Sequence, residues 1–367
     1  MKNDVKNTHV KEPLIHITKR ASISTKLSIM IRVLAILAAM IFAGVIVMIL
    51  SGKNPIAVYI SMFKGAFGTP RRIWNLLNST AILLGISLAV TPAFRMRFWN
   101  CGAEGQTLIG GLATIACMLW FGESLPLPVL FVVIVISSLL AGAVWGVIPS
   151  IFKAQFGTNE TLFTLMMNYI ATQLVKFSLK KWVTDGTTTL PTMTQYRFPK
   201  LFDQPYLLTI ILVFLVCALL YVYLRYSKQG YEISVVGESE NTAKYVGISV
   251  KRVIIRTMIL SGAIAGFVGM LLVANGACTI TTDIVGGRGF TAILVSWLAK
   301  FNPIVMIATS FLVAFLDAGA GQISTDFNME TAICDILIAI ILFFIIGCEF
   351  FIQYKVHFRK SHKEETK

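Results

Sequence analysis

The chain has 367 residues, of which 56% are hydrophobic and 14% charged, and it carries a net charge of +14. A soluble chain of this length would hold about 25% charged residues, so these proportions exclude a soluble enzyme, an intrinsically disordered chain and a disulfide-stapled secreted module. They predict an all-α, polytopic integral membrane protein. The surplus of 32 Lys and Arg over 18 Asp and Glu sits mainly in the first 32 residues, in Arg225–Arg256 and after Tyr354. Basic residues flanking apolar runs are a topological signal, not the footprint of a nucleic-acid-binding protein.

In chain order, residues 1–30 read as a basic tail, and 31–354 as one membrane domain followed by a basic tail over 355–367. The first apolar run, Ile31–Leu50, is too long for a signal-peptide core, and Ser51-Gly52-Lys53 is a poor cleavage site, so it is expected to remain as a span. Ten runs approach the roughly 20 residues that cross a bilayer: 31–50, 74–94, 103–121, 125–149, 160–181, 205–225, 254–275, 288–299, 303–320 and 331–352. The eighth is short and the tenth is interrupted by Asp335 and Glu349, which leaves a count of eight to ten.

With both termini inside, Arg95, Arg97, Lys153, Arg225–Arg256, Lys300 and the tail fall on the cytoplasmic side. Glu123, Asp185, Asp203, Asp283, Asp326 and Glu330 fall outside. A first external loop holding Lys53, Lys64, Arg71 and Arg72 departs from the rule, as does the mildly basic stretch Lys181–Gln204. Ten spans split into two halves of five must run in opposite senses, which is the inverted repeat common among transporters. Asn159-Glu160-Thr161 before the fifth span resembles Met329-Glu330-Thr331 before the tenth.

The six cysteines lie in or beside apolar runs with no CxxC pair, and the four His, at 9, 16, 357 and 362, lie in the tails. No metal site or catalytic residue is expected from them. The hydrophilic segment 226–252 carries Gly237 and Gly247, and Ser239 is placed to cap a short helix through Tyr245. Such a helix, with charges outward and Ala243, Tyr245 and Val246 inward, would dock into a partner; on composition alone an ordinary solvated loop is as good a reading. Asp317, Asp335 and Glu349 are ionisable groups within spans, the feature that keeps a proton-coupled carrier open.

Three stretches carry a family resemblance. Phe98-Trp-Asn-Cys-Gly-Ala-Glu-Gly-Gln106, Gly157-Thr-Asn-Glu-Thr with Thr164-Leu-Met-Met-Asn-Tyr-Ile170, and Gly237-Glu-Ser-Glu-Asn-Thr-Ala-Lys-Tyr-Val-Gly-Ile248 appear in this order. They resemble the F-N-I-G-A-E-G-Q, G-x-N-E/T-L-M-x-N-Y-I and G-E-N-P-x-A-A-R-Y-A-G-I segments of permease subunits of bacterial ATP-binding-cassette importers for simple sugars and nucleosides. These are relatives of the ribose and branched-chain amino-acid permeases. Gly287-Arg-Gly-Phe-Thr-Ala-Ile293 and Phe301-Asn-Pro303 extend the match and lean toward nucleoside importers over ribose importers. Ser239-Glu240 replaces the family's Asn-Pro.

The resemblance implies inward movement of a small polar solute by alternating access across the bacterial cytoplasmic membrane. It implies three partners: a cytoplasmic ATPase, a second permease subunit, and an extracytoplasmic solute-binding lipoprotein. It implies a coupling loop on which the ATPase docks, at Gly237, Glu238, Ala243, Tyr245 and Gly247. No GxxxxGK[ST] loop occurs, so no cofactor is expected in this chain, and ATP would be bound by the partner.

The third and eighth spans both open at glycine-bearing breaks, Gly102-Ala-Glu-Gly105 and Gly286-Gly-Arg-Gly289, the best sequence pointer to a transporter site. Candidates for the solute path are Phe98 and Trp99 for stacking, and Asn100, Glu104, Gln106, Thr164 and Asn168 for hydrogen bonds. For Glu104 the helix cap is the first reading, and Asn168 could equally join helices. Other readings are a ribose-type sugar permease, an ion-coupled secondary transporter and a membrane scaffold.

Overall fold

The computed structural model describes residues 15–20, 24–183 and 189–358. Asp185, His9 and His362 lie outside the described residues. In chain order the helices are α1 (Thr25–Ser51), α2 (Pro55–Phe67), α3 (Pro70–Arg95), α4 (Ala103–Phe121), α5 (Leu127–Phe156), α6 (Glu160–Trp182), α7 (Leu207–Tyr226), α8 (Lys228–Glu238), α9 (Glu240–Tyr245), α10 (Val250–Leu271), α11 (Arg288–Leu298), α12 (Pro303–Phe327) and α13 (Thr331–Gln353). A π-helical turn, Leu272–Ala277, prolongs α10, and two short strands, β1 (Ile15–Lys19) and β2 (Tyr354–Phe358), form a ribbon.

Each of the ten apolar runs falls on a helix. Seven helices among the described residues are long and apolar enough to cross a bilayer by themselves: α1, α3, α5, α7, α10 with its π turn, α12 and α13. The 19-residue α4 and 23-residue α6 are long enough but open on Glu104, Gln106 and Glu160. With 11 residues, α11 rises about 16 Å, half a bilayer.

The expected first external loop is not a loop. Asn54 accepts a hydrogen bond from the Ile56 N–H at 3.0 Å and starts α2 at Pro55. Thr69 accepts from Arg72 N–H at 3.3 Å and starts α3 at Pro70, so Arg71 and Arg72 lie in a first helical turn. Proline at the first helical position lacks only an N–H that would have gone unpaired. The polar stretch from Asp326 to Asp335 is likewise mostly helical, with α12 running on to Phe327 and α13 starting at Thr331.

The chain forms two compact units. One comprises residues 1–65 and 319–367. Here α1 packs on α13: Arg32 and Glu349 pair at 2.8 Å, and the Phe42 and Phe344 rings lie 5.7 Å apart. Tyr59 of α2 donates to the Met40 carbonyl at 2.5 Å. Antiparallel pairing of β1 with β2 brings the start of α1 next to the end of α13.

The other unit, residues 66–318, holds the break segments. Every residue of α3 from Thr80 to Phe94 is buried, so α3 is surrounded by protein and not lipid. The second inner helix, α10, runs against α3, α4 and α5. Its approach to α5 is glycine-mediated: a Cβ on Gly142 would collide with the Gly262 carbonyl, one on Gly266 with the Ser138 carbonyl, and one on Gly146 would lie 2.7 Å from the Met258 carbonyl. The pairing order makes the two helices antiparallel, and small residues four apart are what allow membrane helices to touch backbone to backbone. A Cβ on Gly110 of α4 would likewise strike the Gly266 backbone.

Candidate functional site

The break between α3 and α4, residues 96–102, would leave several backbone groups without helical partners. Their partners are the amides and hydroxyls picked out in the sequence. Asn100, fully buried, accepts from the Gly102 N–H at 3.0 Å, and its amide donates to Ser261 of α10 at 3.0 Å and to Gln106 at 3.2 Å. Thr164 accepts from the Cys101 N–H at 3.2 Å and its own hydroxyl faces the Glu160 carbonyl at 2.7 Å. Asn168 accepts from the Gly105 N–H and donates to the Cys101 carbonyl, both at 2.9 Å. In this conformation these polar groups knit the first turn of α4 to α6 and α10.

Glu104 has a different partner. Its Oε1 accepts from the Gly287 N–H at 2.9 Å and its Oε2 from the Gly289 N–H at 2.7 Å. The first turn of α4 thus supplies the carboxylate that caps α11, and two helix N-termini meet head to head. Only glycine fits at 289, because a Cβ there would lie 2.5 Å from the Glu104 nitrogen. Gly286 and Gly287 have φ of +64° and +74°, a left-handed backbone that glycine adopts without strain.

An aromatic group joins Trp99, in the break before α4, to Trp297, near the C-terminal end of α11. Trp99 and Trp297 are each about half exposed, with ring centroids 5.6 Å apart, and Phe94 and Phe301 stack at 6.0 Å behind them. Phe98 is separate from its neighbour Trp99: it is buried and lines a cavity of about 220 Å³ with Arg97, Lys153, Glu160, Gly237 and Glu240. Lys153 and Glu160 pair there at 2.7 Å.

The segment 226–252 contains two helices. Ser227 caps α8 by accepting from the Gly230 N–H at 2.9 Å, and Ser239 caps α9 by accepting from the Thr242 N–H at 3.3 Å. Gly237 presses on the Arg95 carbonyl at the end of α3, and Arg256 of α10 pairs with Glu232 of α8 at 2.9 Å. The expected inward face of α9 needs correction. Ala243 is fully buried, but Tyr245 is 92% exposed and Val246 is also exposed. Two residues turn the helix by about 200°, so Tyr245 cannot share the face of Ala243. Glu238 is exposed, and Gly247, at φ +79°, ends the helix.

The sequence marks both glycine breaks, Gly102–Gly105 and Gly286–Gly289, but does not single out Trp297 as a partner of this region, nor Arg197 and Asn275. Arg197 donates to the Asn275 carbonyl at 3.0 Å and to that of Gly276 at 3.1 Å, closing the π turn, while the Asn275 amide donates to Thr209 at 2.6 Å. An arginine among the loop residues 189–204 carries no local pattern to announce this role.

Multi-pass helices, a half-length helix and a full-length one meeting at glycine breaks, and capped helices in the largest hydrophilic segment define a membrane-embedded transport permease subunit. The chain belongs to the family described as branched-chain amino acid transport system / permease component, which matches residues 72–346. It is 29% identical over 316 residues to the guanosine ABC transporter permease protein NupP of Bacillus subtilis, covering 83% of this chain and 89% of that one. It is 30% identical over 366 residues to the nucleoside ABC transporter permease protein NupB of Lactococcus lactis, covering 92% and 97%. It is 27% identical over 341 residues to the glucose ABC transporter permease protein TsgB13 of Haloferax volcanii, covering 88% of each. The chain is thus the permease subunit of an ABC importer and not itself an enzyme.

Proposed function

We propose that this permease moves nucleosides inward across the bacterial cytoplasmic membrane by alternating access, driven by ATP that a separate ATPase binds and hydrolyses. The observation that carries the choice of solute is the indole pair Trp99–Trp297, half exposed with centroids 5.6 Å apart. A flat aromatic surface of this kind suits the face of a purine or pyrimidine ring, and two relatives are named for guanosine and nucleosides. A hexose is the second reading, favoured by the glucose permease relative.

The ATPase docks on segment 226–252, where Tyr245 and Val246 stand out as an exposed apolar knob. Both termini lie in the cytoplasm, as the basic tails require. A second permease subunit, identical or homologous, completes the pore, and an extracytoplasmic lipoprotein delivers the solute. Trp99→Ala and Trp297→Ala test the reading in the assembled transporter. Nucleoside uptake should fall about tenfold or more in each, the loss of roughly 1–3 kcal/mol of stacking, with ATPase co-purification unchanged. Uptake equal to the parent in both variants would contradict it.

A further inference from the structure

The β1–β2 ribbon joins the start of α1 to the end of α13. Its register sets Ile15 opposite Phe358, Ile17 opposite Val356 and Lys19 opposite Tyr354, with His16 opposite His357 and Thr18 opposite Lys355 in between. Successive strand residues alternate between faces, and directly opposed residues share one. The register therefore sorts the ribbon into an apolar face, footed by Lys19 and Tyr354, and a polar face. Ile17, at the centre of the apolar face, is 51% exposed. A two-stranded ribbon is marginal in water by itself and needs an apolar surface to pack on.

Position and charge say what that surface is. The ribbon starts where the spans end: the Gln353 carbonyl at the end of α13 accepts from the Arg20 N–H at 2.9 Å. The Tyr354 ring stacks on Phe350 at 5.3 Å, and Phe350 is an exposed side chain of α13. The apolar face of the ribbon thus runs on into the exposed apolar surface of a span. Lys19, Lys26 and Lys355 are exposed and Arg20 is partly so. No acidic residue occurs from Pro13 to Asn100 or from Phe350 to Lys363. Glu349, just before the second stretch, is paired with Arg32 at 2.8 Å. The outer edges of a two-stranded ribbon keep backbone groups unpaired, which the hydrocarbon core does not tolerate, so the ribbon belongs at headgroup level.

We infer that the ribbon is a lipid-docking element: it lies on the anionic membrane surface from which α1 and α13 emerge. Its apolar face rests at the boundary of acyl chains and headgroups, and Lys19, Arg20, Lys26 and Lys355 meet lipid phosphates. Such an element binds through its apolar area together with the attraction of basic residues for an anionic leaflet. The lipid surface then completes a ribbon that two strands alone would hold weakly, and so fastens α1 to α13. Contact with lipid does not depend on the solute or on the side of the membrane that the termini face.

The test uses the assembled transporter in nanodiscs, where both membrane faces are accessible, with the six native cysteines replaced. A fluorophore is attached to Ile17→Cys, Thr18→Cys, Lys355→Cys or Val356→Cys, one position at a time. In nanodiscs containing phosphatidylglycerol, brominated lipid should quench the labels at 17 and 356 several times more than those at 18 and 355. Aqueous iodide should give the reverse pattern. In Lys19→Gln combined with Lys26→Gln, the phosphatidylglycerol fraction that gives half-maximal lipid quenching at 17 should rise severalfold, since each basic residue near an anionic surface is worth about a fivefold change in binding. A short thiol cross-linker should join the directly opposed pair Ile17→Cys and Val356→Cys, and failure to do so would remove the ribbon and the proposal with it. Iodide quenching of all four positions alike would overturn it, as would lipid quenching that is the same in phosphatidylcholine alone. Shielding of 17 and 356 from both quenchers would mean that a protein partner covers the face, and would overturn it equally.

Discussion

Gly142 of α5 and Gly262 of α10 meet backbone to backbone, so that a methyl group on either would collide with the other's carbonyl. Close approaches one turn to either side, Gly146 on the Met258 carbonyl and Gly266 on the Ser138 carbonyl, let the central helix α10 sit against α5. No hydrophobic force separates protein from lipid tails inside a bilayer, so close van der Waals packing of this kind holds the inner helices together.

Gly262→Ala should therefore destabilise the unit despite alanine's better helix propensity. Overpacking costs about 1–3 kcal/mol. The purified complex should melt several degrees lower, while Gly347→Ala, where nothing lies within 4 Å, should melt like the parent. Equal melting of both variants would show that α5 and α10 part without penalty.

Asn168→Leu should act through the break before α4. It removes the partners of the Gly105 N–H and the Cys101 carbonyl, both held at 2.9 Å, and a buried polar group left unpaired costs about 1–3 kcal/mol. The expected outcome is lower thermal stability with uptake falling in proportion to assembled complex. A variant that melts normally and yet fails to transport would mean that the amide meets the solute in another state of the cycle.

Tyr245→Asp should abolish ATPase co-purification and uptake together without changing membrane insertion. The exposed ring is 92% accessible, and a carboxylate in its place would have to be desolvated in the joint with the ATPase, at a cost of several kcal/mol. Because Tyr245 makes no buried contact in this chain, the melting temperature of the isolated permease should not move. Retained co-purification would remove α9 from the docking surface.

Arg197→Ala should loosen the π turn. Its guanidinium holds two carbonyl oxygens at 3.0 and 3.1 Å, and hydrogen bonds to a charged group contribute about 1.5–3 kcal/mol in all. Hydrogen exchange at Cys278, whose N–H bonds the Val273 carbonyl at 2.8 Å, should accelerate. Unchanged protection there would show that the turn closes without the arginine.

The long helices are legible in the sequence because a bilayer demands runs of about 20 apolar residues, and each of the ten runs falls on a helix. What escapes is what hydropathy does not encode. The 13-residue α2 is too short for a span and is flanked by Lys53, Arg71 and Arg72, so it reads as a loop. The facing of Tyr245 depends on the register of a six-residue helix, which a composition argument cannot resolve. The glycine pairs Gly142/Gly146 and Gly262/Gly266 do stand at the spacing of close membrane helices, and that periodicity is a usable signal. The capping role of Glu104 is suggested by its place in a first helical turn. Its partner is not, because Gly287 lies 183 residues away, and only the fold brings the two breaks together. By sequence the amides of Asn100, Gln106 and Asn168 suit packing and solute contact alike, and in this conformation all three bond within the protein.

The most direct measurement of the central claim is uptake into proteoliposomes. They would hold this permease with its partner permease subunit, the ATPase and the solute-binding lipoprotein, loaded with ATP in the compartment facing the ATPase. The account predicts accumulation of labelled guanosine that requires ATP hydrolysis, persists with a proton ionophore and is displaced by unlabelled nucleosides but not by glucose. Accumulation that collapses with the ionophore while ATP remains, or glucose uptake with no nucleoside uptake, would contradict it.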